Sequence, residues 1–177
     1  MDDKERSHNP RRRFLKLALC ATAAGVLNRF SLHATAKAAE TSPQFTGKSE
    51  AIRREIQQLR DTKHSCSQAT FTGICKAVGS ELTEEQLLSL SAGFAGGIGK
   101  TFDDGSCGAL VGGVMAIGWY LRGDTDASVA LSKKLFEDFK AHEGTVVCKD
   151  ILEKYEGFAN CTNCCLYVGK AVSESLG

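Results

Sequence analysis

Proline is almost missing from this chain. Its two copies in 177 residues are Pro10 and Pro43, so nothing beyond position 43 breaks a helix by lacking a backbone N–H. Alternating runs of β-branched residues long enough to mark a strand are absent as well. What remains is helical periodicity. Ile52, Ile56 and Leu59 form one stripe, and Thr83-Glu84-Glu85-Gln86 is a capping box opening a helix with Leu87, Leu90 and Phe94. Asp124-Thr125-Asp126 starts another, with Leu131, Leu135, Phe136 and Phe139 on one side. The expected fold is all-α, a compact helical bundle.

A long hydrophobic run is also lacking. The N-terminal apolar stretch, from Leu15 to Leu27, is about half of the ~20 residues that cross a bilayer. It follows Pro10-Arg11-Arg12-Arg13-Phe14-Leu15-Lys16, a twin-arginine pattern, and precedes an A-x-A site at Ala36-Lys37-Ala38. Residues 1–38 therefore read as a cleaved twin-arginine signal peptide, residues 39–49 as a flexible lead-in, and residues 50–177 as a single cysteine-rich domain. The expectation is export to the periplasm with no stable membrane span once the signal is removed.

No basic excess survives that cleavage. From Glu40 onward 14 Lys and Arg face 18 Asp and Glu, a net charge of about −4, so neither nucleic acid nor an anionic membrane surface is an expected partner. Histidine is scarce too: beyond the signal there are only His64 and His142, far apart in sequence, and no histidine pair spaced to ligate a metal. The motif C-x-x-C-H is absent, since Cys165 stands where the histidine after Cys161-Thr162-Asn163-Cys164 would be, which argues against a c-type haem. "GGIGKT" (Gly96–Thr101) resembles the end of a phosphate-binding loop, but Phe94 replaces the first glycine and the segment follows a helix instead of a strand. Asp103-Asp104 reads as a helix cap.

Cysteine is what the chain has in excess: eight copies, seven of them after the signal. An odd number leaves one thiol over if all pair. The twin-arginine route, moreover, carries proteins folded beforehand in a reducing cytosol, many with a metal already inserted, which tilts these thiols toward ligation. Cys66, Cys107, Cys148 and the terminal "CTNCC" cluster (Cys161, Cys164, Cys165) each open a helical segment, where free N–H groups and the helix dipole stabilise a thiolate. Within a helix the three terminal cysteines share one face. Cys75, mid-helix, reads as core. Gly108, Gly112 and Gly113 disfavour a helix by about 1 kcal/mol each relative to Ala, a cost acceptable where a helix or a cofactor must come close.

The whole pattern resembles the redox-active proteins called C_GCAxxG_C_C after their cysteines. Cys66-Ser67-Gln68-Ala69 matches the first block, Gly105-Ser106-Cys107-Gly108-Ala109-Leu110-Val111-Gly112 the central one, and Cys148-Lys149-Asp150-Ile151-Leu152 and Cys164-Cys165-Leu166-Tyr167-Val168 the last two. The literal G-C-A string is absent, and the spacing of the whole set carries the likeness. It extends to split-Soret cytochromes c, exported dimeric electron-transfer proteins with haem and an iron–sulfur centre. The resemblance implies a periplasmic redox protein that keeps an iron–sulfur centre without the haem. Its ligands are then Cys66, Cys107, Cys148 and Cys164, with Cys161 and Cys165 as alternates. Periplasmic redox partners and a homodimer follow from the same likeness. Two alternatives stand beside it: a thiol–disulfide oxidoreductase using Cys161 and Cys164 with Cys107 or Cys165 resolving, and a binding module held by a four-cysteine zinc site or disulfides.

Overall fold

The segment Gln44–Gly47 turns the chain into its first helix, and Phe45 within it is buried edge-on against Tyr120, ring centroids 4.9 Å apart. The computed structural model describes residues 44–177; the signal read at residues 1–38 and the lead-in up to residue 43 lie outside the described residues. All regular elements described are helical: α1 (Ser49–Asp61), α2 (Cys66–Val78), α3 (Glu84–Ser91), α4 (Gly108–Tyr120), α5 (Thr125–Glu143), α6 (Cys148–Lys154) and α7 (Cys161–Leu176). The all-α expectation holds. None of the described helices is long and apolar enough to cross a membrane.

Local rules set most boundaries. Ser65 caps α2 in a capping box with Gln68, and Thr83 caps α3 in another with Gln86. The Asp124 side chain accepts from the Ala127 N–H at 3.0 Å to start α5. Gly79 and Gly144 end α2 and α5 in the left-handed conformation. Asp103 does not cap α4 as the sequence had implied: its carboxylate accepts from the Gly105 N–H at 3.2 Å, and Cys107 occupies the cap position.

The α2 helix is the axis of the bundle, buried on nearly every side and packed against α1, α3, α4 and α7. Ile52, Ile56, Phe71, Ile74, Ile117, Phe139, Val168 and Val172 fill the space between the helices, each stabilising the fold by roughly 1.5–3 kcal/mol relative to exposure. The α4 helix lies flush on α2 because Gly112 has no side chain. A Cβ there would stand 2.8 Å from the Ser67 carbonyl oxygen. Two residues assigned to core stripes face water instead. Leu90 is 53% exposed, because α3 stops at Ser91 and a 3-10 turn (Ala92–Phe94) redirects the chain, and Phe136 is 40% exposed on the outer side of α5.

Candidate functional site

The cysteines occupy helix starts. Cys66, Cys148 and Cys161 are the first residues of α2, α6 and α7, and Cys107 is the N-cap of α4. The α7 helix opens at Cys161, so Cys164 and Cys165 lie one turn inside it, on the same face. Backbone pairing joins two of these starts. Ser106 and Val147 form an antiparallel bridge, flanked by Cys107 N–H to the Val146 carbonyl (2.7 Å) and Cys148 N–H to the Gly105 carbonyl (2.8 Å). The start of α4 and the start of α6 are therefore fixed side by side.

Six thiols share one neighbourhood, and their electrostatics show it. Burial, then the nearby Cys107, pushes the Cys66 thiol up, against donation from the Gly96 and Ser67 N–H groups. Burial followed by Cys107, Cys66 and Cys161 lifts Cys148 to about 12. Burial followed by Cys66 lifts Cys161 to about 11, while the Arg60 guanidinium opposes it. Cys165 is raised by burial and by Cys66, and its thiol lies 3.6 Å from the Cys66 carbonyl oxygen. Only Cys107 falls below the ordinary thiol value. The adjacent Cys164 is the first cause, and the Leu110 and Ala109 N–H groups at the start of α4 add to it against burial. Cys164 is raised by its neighbour Cys107, by burial and by Glu143, to whose carboxylate it donates at 3.5 Å. Acidification expected at every helix start is outweighed by burial at Cys66, Cys148 and Cys161, and at Cys107 the downward shift comes first from Cys164 and only then from the N–H groups of the helix start. Cys75 stands apart, buried in the core beside Tyr120.

Three contributors escaped the sequence reading. Glu143, the last residue of α5, is buried with its carboxylate 3.5 Å from the Cys164 sulfur, accepting from the Tyr155 hydroxyl at 2.9 Å. A signal for it existed: an acidic residue in the final turn of a helix, immediately before the terminating glycine, opposes the dipole. Arg60 donates to the His64 carbonyl at 2.6 Å and to the Thr162 hydroxyl at 3.3 Å, tying the approach to α2 to the first turn of α7. The glycine-rich "GGIGKT" segment is a loop with Gly96, Gly97, Gly99 and Lys100 at positive φ, as is Phe102 just after it. It presents the Gly96 N–H to Cys66.

All seven cysteines of the described residues are free thiols. Residues 64–175 match the family model described as "Putative redox-active protein (C_GCAxxG_C_C)". The chain belongs to the C_GCAxxG_C_C family. No match was found among curated proteins or among solved structures. All four blocks by which the sequence resembles the C_GCAxxG_C_C family fall within the matched span, and with them every thiol of the cluster. Among the described residues, no three histidine, cysteine, aspartate or glutamate side chains converge so as to hold a metal ion. The six thiols form a donor set of sulfur alone, drawn from four separate helix starts.

Proposed function

We propose that the chain is an exported electron-transfer protein whose thiolates hold an iron–sulfur centre. Cys66, Cys107, Cys148 and Cys164 are its ligands, with Cys161 and Cys165 as alternates. The observation behind this reading is that thiols from four separate helix starts, distant in sequence, meet in one neighbourhood within a redox-active family. An iron–sulfur centre supplies one-electron storage. The protein's own groups do the rest: the Gly96 N–H near Cys66 and the Ala109 and Leu110 N–H groups near Cys107 favour the anionic form of the sulfur. Export and redox partners of the periplasm fit the twin-arginine pattern and the acidic mature chain.

A second reading rests on a different observation. Cys164 neighbours Cys107, the one thiol shifted down, so a dithiol couple would use Cys107 as nucleophile and Cys164 as its partner. In the Cys161–Cys164 pair, by contrast, both thiols are shifted up.

Anaerobic purification followed by a visible spectrum, metal analysis and a free-thiol count separates these readings. Broad visible absorption with bound iron, bleached in Cys107→Ser, supports the cluster. A colourless, metal-free protein with a reversible two-electron thiol couple lost in Cys107→Ser supports the dithiol. Bound zinc without iron rejects both.

A further inference from the structure

Glu143 sits where physics disfavours it. It ends α5, at the pole where carbonyl oxygens repel a carboxylate, and its side chain is only 2% exposed, so it has lost its hydration. Its oxygens are held by neutral donors: the Tyr155 hydroxyl at 2.9 Å, the Asn160 amide at 3.4 and 3.5 Å, and the Cys164 thiol at 3.5 Å. The Lys154 ammonium and the His142 imidazole both stand 3.8 Å away on partly exposed side chains. Tyr155 follows α6, and Asn160 precedes α7, so one carboxylate ties the end of α5 to both segments. It also meets the sulfur that contacts Cys107.

We propose that Glu143 is a positioning residue of the redox centre: its carboxylate fixes the Cys164 side chain beside Cys107 and, as a buried negative charge, lowers the reduction potential. The assignment rests on the redox reading above, though not on the choice between its two forms. A purely structural role needs only a neutral acceptor for Tyr155 and Asn160, whereas a charge in a poorly screened interior disfavours whichever state carries more negative charge. That state is the reduced one in both forms. A cluster gains one electron. A Cys107–Cys164 disulfide gains two electrons as its S–S bond breaks, and with one proton taken up the reduced pair carries one more negative charge than the disulfide.

The test is an equilibrium redox titration of the full mature chain, wild type against Glu143→Gln and Glu143→Asp. Dithionite with mediators is the reductant where iron is bound, and dithiothreitol buffers serve where it is not. Far-UV circular dichroism and iron or thiol counts are taken alongside. Glu143→Gln should titrate at a more positive potential with its fold and iron or thiol count unchanged, and Glu143→Asp should stay near wild type. Should Glu143→Gln fail to fold, Tyr155→Phe keeps the charge but strips its strongest hydrogen bond, and should move the potential to more negative values. A wild-type potential in Glu143→Gln, equal shifts in the Gln and Asp variants, or an unmoved Tyr155→Phe overturns the assignment. A wild-type chain with neither iron nor a reversible thiol couple sinks the redox reading itself, and this assignment with it.

Discussion

Gly108 and Cys66 touch where no side chain could come between them. A Cβ built on Gly108 would stand 2.5 Å from the Cys66 sulfur and 2.8 Å from the Phe94 carbonyl oxygen. The backbone at the start of α4 is thereby pressed against the first turn of α2, and Cys107, at the α4 cap, is brought beside Cys66. This glycine is the means by which two thiols 41 positions apart in sequence become neighbours.

Gly108→Ala should therefore disturb the cluster more than the helix. Alanine is the better helix former by about 1 kcal/mol, but the added methyl must displace a sulfur and a backbone carbonyl. Overpacking of that kind destabilises by about 1–3 kcal/mol. The expected outcome is a net loss of stability in urea denaturation together with loss of iron or of the Cys107 thiol couple. A variant more stable than wild type, with both retained, would show that the contact has slack.

Arg60 holds the opposite rim. Its guanidinium bridges the His64 carbonyl and the Thr162 hydroxyl, and its charge opposes the upward shifts of Cys66, Cys161 and Cys165. Hydrogen bonds from a charged donor contribute about 1.5–3 kcal/mol each, and this group is partly buried. Arg60→Ala should lower stability by about 2 kcal/mol by the same measure and slow alkylation of the half-buried Cys161 at fixed pH. Arg60→Lys restores the charge without the planar fork. It should recover the alkylation rate but not the stability, as followed by mass spectrometry and denaturation.

The ligand assignment predicts an asymmetry within the cluster. Cys148, pinned by the Gly105 carbonyl next to Cys107, should be needed for iron, whereas half-buried Cys161 should be dispensable. Iron per chain should fall to background in Cys148→Ser and persist in Cys161→Ser. The reverse pattern moves the fourth ligand to Cys161.

Much of this architecture was legible because it is written in local rules. The caps at Thr83 and Asp124 and the Ile52–Ile56–Leu59 stripe depend on residues within a few positions of one another. The glycines of α4 hinted at a close approach, though not at what was approached. Glu143, Arg60 and Gly96 were overlooked, since their roles come from segments far along the chain meeting in space. Thr162 lies 102 positions from Arg60. The acidity of the thiols was misjudged for a related reason. Position at a helix start is visible in a sequence, but burial, which dominates at Cys66, Cys148 and Cys161, is a property of the assembled bundle.

Cys75 offers a probe of burial that leaves the cluster alone. Burial in the core lifts its thiol from 9.0 to about 12, with Tyr120 opposing weakly. Below pH 9 the thiol is protonated in both the folded and the unfolded chain, so it contributes no pH dependence. As pH rises from 9 toward 12, the unfolded chain sheds this proton while the folded one keeps it, so folding stability falls with pH. One proton's difference is worth about 1.4 kcal/mol per pH unit at full effect. The raised thiols of Cys148 and Cys161 slope the same way, so the informative quantity is the difference between wild type and Cys75→Val. Valine fills nearly the same space, at a cost under about 1.5 kcal/mol. In reduced protein freed of metal, urea denaturation at a series of pH values above 9 should give a shallower decline for Cys75→Val than for wild type. Parallel declines would mean that Cys75 ionises in the folded protein as readily as in the unfolded chain, and that its surroundings are wetter than the packing of α2 implies.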